Sequence, residues 1–103
     1  MSIRSAPHPI ITEIDAHMLQ SGVRNNGWYV GITSDVNQRL FGHHQVDRTK
    51  DTWIYRTCPS ETFARDLEAA YHRAGCKGGT GGGSGDGSCT VLYAYVITTR
   101  TVE

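Results

Sequence analysis

Hydrophobic and polar residues follow two different periods along this chain, and the changes between them predict six secondary-structure elements. Residues 28–33 alternate with a period of two, which is typical of a half-buried strand. Apolar residues spaced three and four apart indicate amphipathic helices. In chain order, the pattern predicts a helix over 9–21, a strand over 28–33, a helix over 34–43, a strand over 52–57, a helix over 60–74 and a strand over 89–99.

Local signals support the ends of the three helices. Pro9 suits a first helical turn and Gly22 is a typical helix stop. Ser34 is the expected N-cap of the second helix, and Ser60 that of the third. Gly75 is the expected C-terminal stop of the third helix.

The order of these elements predicts a single α+β domain over 1–103, with a small three-stranded, mainly antiparallel sheet flanked by helices. The last strand is apolar on both faces, which favours a central place in the sheet. Residues 1–8 are interpreted as a loose arm, 78–88 as a flexible glycine-rich loop and 100–103 as a frayed tail.

Composition restricts the classes of partner. The 103 residues include ten basic and ten acidic side chains, so the formal net charge is zero. A domain that holds nucleic acid by neutralising phosphates usually has a basic excess. Any nucleic-acid role therefore depends on a local patch, or on a protein partner that supplies affinity. No apolar run is long enough to span a membrane, and no signal peptide is recognisable.

Three cysteines, Cys58, Cys76 and Cys89, form no CxxC pair. An odd number at these spacings argues against a disulfide framework and favours the reducing cytoplasm. A zinc site that combines them with His72 would match no common ligand spacing.

Candidate chemistry is concentrated where the first strand leads into the second helix. Tyr29 lies on the strand, and Arg39 and His43 lie four residues apart on the predicted helix. A later helix contributes Glu68. These side chains also have ordinary interpretations as a strand aromatic, a helix arginine paired with Asp35, a histidine at a helix C-terminus and a member of a surface ion pair.

In this order and spacing, the residues resemble the GIY-YIG nuclease family. Tyr29-Val30-Gly31 stands where the family has its second half-motif, Arg39 follows ten residues later, and His43 follows four after that. Glu68 lies on the helix after the next strand, as the family pattern requires. The resemblance covers roughly residues 27–75.

The resemblance implies a metal-dependent endonuclease that hydrolyses phosphodiester bonds in DNA, with RNA as the second possibility. Glu68 would hold Mg²⁺ or Mn²⁺, and Arg39 would bind the scissile phosphate. Tyr29 or His43 would position or deprotonate the attacking water, and both alternatives stay open. Basic residues that can contact nucleic acid are Arg48, Lys50, Arg65 and Lys77.

The family's first half-motif, a GIY strand upstream, is missing, because residues 18–20 belong to the predicted first helix. One hypothesis is a permuted arrangement in which the last strand takes the vacant place in the sheet. Tyr93 or Tyr95 would then supply the missing hydroxyl.

Two other functions remain open. The first is a catalytically inactive member of the same fold that binds nucleic acid or protein, such as a phage or mobile-element regulator. The second is a Cys/His metal-binding or redox protein. Seven of the ten residues 78–87 are glycine, which could form a phosphate-binding nest. However, no phosphate-loop signature follows, so a flexible connection is the preferred interpretation.

Overall fold

The last strand of the chain is the central strand of the sheet, as its two apolar faces predict. The computed structural model describes residues 8–78 and 88–103. The elements are α1 (Pro9–Ser21), a 3₁₀ turn (Asn25–Gly27), β1 (Trp28–Thr33), a π-helix (Asn37–His43), β2 (Trp53–Thr57), α2 (Glu61–Arg73) and β3 (Val91–Val96). The three strands are antiparallel in the order β1-β3-β2. The predicted α+β class and antiparallel sheet are therefore confirmed.

The ends of α1 and α2 follow the predicted signals. The Ser60 hydroxyl accepts a hydrogen bond from the Phe63 amide at 3.1 Å and caps α2. Gly22, at φ 75°, ends α1 in the left-handed conformation that glycine adopts without a Cβ clash. At the other end of α1, the His8 ring nitrogen Nδ1 accepts from the Ile10 amide at 3.1 Å.

Two buried clusters lie on opposite faces of the sheet. On one face, α1 and α2 cover the residues of a larger apolar core: Ile14, Met18, Trp28, Val30, Ile32, Ile54, Ala64, Leu67, Tyr71, Leu92 and Ala94. On the other face, the π-helix and the segment after it cover a smaller, aromatic cluster: Tyr29, Leu40, Val46, Tyr93 and Tyr95. The alternation of the strands assigns their residues to these two faces.

The second helix differs from its prediction in type and in start. It is a π-helix over Asn37–His43, in which the His44 amide donates to the Arg39 carbonyl at 3.0 Å. Ser34 is exposed and does not cap it; instead the Asp35 carboxylate accepts from the Gln38 amide at 3.1 Å. The side chain of Asp35 reaches the first turn because Thr33 Oγ1 accepts from the Asp35 amide at 3.0 Å.

Two polar residues of α1, Asp15 and His17, are half-buried. The Tyr71 hydroxyl of α2 donates to the Asp15 carboxylate at 2.6 Å. The His17 ring lies edge-on to Trp28, with 6.0 Å between the ring centroids. Both residues turn inward because α1 has α2 on one side and the sheet beneath it.

The predicted frayed tail is instead docked. The Val102 amide donates to the His44 carbonyl at 2.8 Å, and Arg100 forms an ion pair with the buried carboxylate of Asp51. A turn between Thr98 and Thr101 supports this segment. Docking gives the buried His44 ring a carbonyl acceptor and the buried Asp51 carboxylate a cation.

The loose arm and the glycine-rich loop lie outside the described residues, apart from His8 in the arm and Gly78 and Ser88 at the ends of the loop. Within the described part of the chain, no helix is long and apolar enough to cross a membrane.

Candidate functional site

Antiparallel pairing of β1 with β3 brings the half-motif beside two tyrosines of the last strand. Tyr95 lies opposite Tyr29, and Tyr93 lies opposite Gly31. The Tyr29 ring is stacked on that of Tyr95, with centroids 5.2 Å apart and planes at 18°. The last strand therefore does lie beside the half-motif strand. That it replaces the family's first strand stays a prediction.

Gly31 leaves the space that the Tyr93 ring occupies. A Cβ at position 31 would lie 2.5 Å from the Tyr93 hydroxyl oxygen and 2.7 Å from its Cζ. Tyr93 cannot retreat, since it is 1% exposed and its hydroxyl is bonded on its far side to His44. Glycine is therefore needed at position 31 of the half-motif, because a larger side chain would collide with the Tyr93 ring.

We expect Gly31→Ala to lower the free energy of unfolding by about 1–3 kcal/mol, because the added methyl overpacks a closed site. Urea denaturation measures it. The matched control is Gly42→Ala, whose Cβ would meet nothing within 4 Å. That control should be neutral or stabilising by up to about 1 kcal/mol, because alanine favours the helix. Equal effects of the two substitutions would contradict the packing argument.

The π-helix decides which histidine reaches the sheet. In an α-helix, residues four apart share a face, so the sequence predicts that Arg39 and His43 lie together. In the π-helix, the backbone hydrogen bond runs from the amide of residue i+5 to the carbonyl of residue i, so His44, instead of His43, lies one turn above Arg39. His44 is accordingly 4% exposed, whereas His43 is exposed. The structure does not bring the predicted His43 together with the other site residues.

His44 connects both tyrosines of β3 to the docked tail. Its Nδ1 lies 2.6 Å from the Val102 carbonyl oxygen, and its Nε2 lies 2.8 Å from the Tyr93 hydroxyl. Because a carbonyl only accepts, Nδ1 holds the proton and Nε2 accepts from the Tyr93 hydroxyl. The Tyr95 hydroxyl lies 3.0 Å from Nδ1 and donates to the Val102 carbonyl at 3.3 Å.

Burial lowers the pKa of His44 from its ordinary value of 6.5, although its hydrogen bond to Val102 opposes the change. The unfolded chain therefore binds this proton at a higher pH than the folded protein does. We expect the free energy of unfolding to fall as the pH decreases below about 6.5, by at most about 1.4 kcal/mol per pH unit. Urea denaturation at pH 7.5 and pH 5.5 measures the loss. The loss of unfolding free energy between these two pH values should be the same in His43→Gln as in wild type and smaller in His44→Gln. An equal loss in wild type and both variants would contradict the prediction.

Arg39 and Glu68 both act on the Tyr93 hydroxyl. Burial is the main cause that raises the pKa of Tyr93, and the neighbouring Tyr29 raises it further. The Arg39 side chain opposes this change through its charge and a hydrogen bond, while the negative charge of Glu68 adds to it. At neutral pH, the Tyr93 hydroxyl consequently keeps its proton and acts as a donor.

Glu68 projects from α2 and is half-buried. Burial raises the pKa of its carboxyl group, and the nearby His72 and Arg65 partly offset that rise. One turn further along α2, the His72 ring Nε2 donates to the Val30 carbonyl at 2.9 Å. This bond ties α2 to the outer edge of β1, beside Gly31. A Cβ on Gly78 would lie 2.0 Å from His72 Nε2, so glycine at 78 permits this contact.

The predicted nucleic-acid-binding residues lie in three parts of the chain: the loop before β2, helix α2 and the segment after α2. Arg48 is exposed, with its guanidinium 3.8 Å from the centre of the Phe41 ring, and Lys50 is exposed two residues later. Lys77 is exposed at the outer edge of β1, where its carbonyl accepts from the Val30 amide at 2.8 Å. Arg65 is half-buried in an ion pair with Glu61 at 2.6 Å.

The predicted tyrosines do not have equivalent surroundings. Tyr93 is hydrogen-bonded to Arg39 and Tyr29 stacks on the tyrosines of β3, whereas Tyr95 is 0% exposed and its hydroxyl is bonded within the protein. The sequence did not single out His44, and it did not show that His72 bonds to the Val30 carbonyl. The doubled histidine at 43–44 was the signal, but only the helix type shows which of the two is buried.

The cysteines form no site in the described part of the chain. Cys58, Cys76 and Cys89 are buried and free, and burial raises the pKa of the Cys58 and Cys76 thiols. A raised pKa disfavours the thiolate that metal binding and redox chemistry need. Between residues 8 and 78 and from 88 to 103, no three His, Cys, Asp or Glu side chains lie together as metal ligands.

The chain matches no protein-family model, and no match to it is found among the curated proteins or the solved structures.

Proposed function

We propose that this protein is a metal-dependent endonuclease of the GIY-YIG type that hydrolyses phosphodiester bonds in DNA, with RNA as the second substrate. The observation that supports this most is the hydrogen bond of Arg39 to the buried Tyr93 hydroxyl, which lies beside Gly31 of the half-motif and whose pKa the negative charge of Glu68 raises. An arginine, a carboxylate and a hydroxyl group are the residue types of a typical phosphoryl-hydrolysis set.

In this proposal, Arg39 binds the scissile phosphate. Its planar guanidinium can donate two parallel hydrogen bonds to phosphate oxygens and stabilise the charge of the transition state. Arg39 is half-buried, so one part of it contacts Tyr93 while another reaches solvent. Tyr93 holds the guanidinium in place by accepting its hydrogen bond.

Glu68 is the residue that would hold Mg²⁺ or Mn²⁺. Its carboxylate fits a hard cation, because burial disfavours its ionised form and a bound cation would compensate for the lost hydration. When bound, such an ion polarises a phosphate oxygen and lowers the pKa of a coordinated water. A single protein carboxylate leaves the other coordination positions to substrate and water.

The identity of the general base stays open between Tyr29 and His43. The Tyr93 hydroxyl donates to His44 Nε2, and because burial raises the pKa of Tyr93 and lowers that of His44, this pair orients the hydroxyl and does not take a proton from water. His43 is exposed and would have to act from the solvent side.

A supercoiled-plasmid nicking assay tests the proposal. Wild type, Glu68→Ala and Arg39→Ala are compared in Mg²⁺ or Mn²⁺ and in a chelator. Cleavage by wild type alone supports the endonuclease. Equal cleavage by all three proteins reveals a contaminating nuclease, and no cleavage under any condition favours a binding module.

A catalytically inactive binding module is the second candidate. A groove of about 930 Å³ between α1 and α2, lined in part by Ile11, Met18 and Leu67, favours it. Leu19 beside this groove is 82% exposed. Exposed apolar surface of this kind is typical of protein-binding sites. We place either function in the cytoplasm, with nucleic acid as the principal partner and a protein as the source of extra affinity.

A further inference from the structure

Strand β2 places an exposed aromatic side chain next to the candidate site. Tyr55 lies opposite Tyr93, and Trp53 lies opposite Tyr95. Tyr55 is 37% exposed, which makes it the only exposed phenylalanine, tyrosine or tryptophan among residues 8–78 and 88–103. Its ring runs nearly parallel to that of Trp53, with planes at 7° and centroids 6.1 Å apart.

Trp53 is held rigidly beneath this surface. Its indole nitrogen donates to the Arg48 carbonyl at 3.1 Å, and Phe41 meets it edge-on with centroids 5.0 Å apart. The Arg48 guanidinium lies on the Phe41 ring, 3.8 Å from its centre. A fixed aromatic pair beside an arginine is the arrangement on which single-stranded nucleic acid stacks its bases.

The surface has space for a ligand. An open recess of about 590 Å³ runs along β2, lined by Trp53–Thr57 and by His17 of α1. This volume lies within the range of small-ligand sites, about 300–1,000 Å³. Gly31 and Tyr55 lie on opposite sides of Tyr93, two strand spacings or roughly 10 Å apart. A base stacked on Tyr55 would therefore lie roughly 10 Å from the half-motif strand.

The charge of the protein favours stacking over phosphate binding. The net charge is zero, and two arginines near the site are already paired, Arg56 with Glu13 and Arg65 with Glu61. Duplex binding depends mainly on cations that displace counterions from phosphates. Single-strand binding adds to its cationic contacts the stacking of bases on aromatic rings, worth about 1–3 kcal/mol per base, and stacking needs a base whose face is not covered by a neighbour in a duplex.

From these observations, we propose that Tyr55, supported by Trp53, binds an unpaired base, so that the substrate class of the site is single-stranded nucleic acid. This extension rests on the proposed nuclease function for cleavage, whereas the binding itself does not require it.

Fluorescence anisotropy in EDTA tests the binding without cleavage. The probes are labelled 12-nucleotide DNA and RNA single strands and blunt duplexes of the same sequences. We expect wild type to prefer single strands, and Tyr55→Ala to weaken single-strand binding about tenfold, which corresponds to about 1.4 kcal/mol. Tyr55→Phe should retain the affinity, and single strands should quench Trp53 fluorescence.

Thr52→Ala is the matched control, because Thr52 is exposed just before the same strand, has no ring and does not line the recess. Circular dichroism verifies that each variant is folded. Equal binding of single strands and duplexes by wild type would overturn the inference, as would an unchanged affinity in Tyr55→Ala or no binding to any probe.

The two proposals can fail separately. A wild type that binds single strands through Tyr55 but cuts nothing in Mg²⁺ or Mn²⁺ contradicts the nuclease and leaves this inference intact. A wild type that cuts with metal but binds single strands and duplexes equally contradicts this inference alone.

Discussion

Glu68→Gln is expected to reduce Mg²⁺-dependent plasmid nicking by about 10²–10³-fold while the protein stays folded. Glutamine keeps the size of the side chain but removes the charge that would hold the cation. Burial raises the pKa of Glu68 above its ordinary value of 4.5, so the ionised carboxylate is unfavourable in the folded protein at pH 7. The free energy of unfolding of the variant should therefore be unchanged or higher.

Nicking rates and thermal unfolding of the same preparations measure both effects. Asp66→Asn is the matched control, because Asp66 is exposed on the same helix. It should cut at the wild-type rate. Arg39→Lys extends the test, since lysine keeps the charge but loses the planar pair of donors. Wild-type nicking by Glu68→Gln would contradict its role in the site, and a large drop in its stability would contradict the argument from burial.

His44→Ala is expected to lower the free energy of unfolding by about 2–4 kcal/mol. The substitution leaves the Tyr93 hydroxyl and the Val102 carbonyl without their bonds to the ring and opens a cavity under the aromatic cluster. It also removes the side-chain bond that helps to dock residues 98–103. Urea denaturation at pH 7.5 measures the loss.

The neighbouring histidine provides the control for this prediction. His43→Ala changes the same kind of side chain on the exposed surface, so we expect less than about 0.5 kcal/mol. If the two alanine variants are equally stable, or if His43→Ala is the weaker protein, the π-helical placement of these histidines is wrong.

Local sequence signals were sufficient for most elements of the fold. The cap at Ser60 and the stop at Gly22 act through hydrogen bonds and backbone sterics within a few residues, and both are present in the structure. The alternation in 28–33 places Val30 and Ile32 in the larger core. The apolar character of both faces of the last strand was enough to predict its central position.

Contacts between distant residues settled the parts that local signals could not. The helix after β1 is a π-helix instead of the expected α-helix. It packs over the tyrosines of β3, and the tail supplies the Val102 carbonyl to His44 at its end. Residues 100–103 look frayed in isolation because their partners, His44 and Asp51, lie about fifty residues earlier.

The strand-to-helix corner that resembles a nuclease half-motif was thus recognisable from sequence spacing, since Tyr29, Gly31 and Arg39 are neighbours in the chain. The sequence did not show which of the two histidines faces the sheet, because positions 43 and 44 have the same side chain and differ only in the helix face they occupy. That face depends on whether the backbone bonds to the fourth or the fifth residue, and the tertiary packing makes this choice.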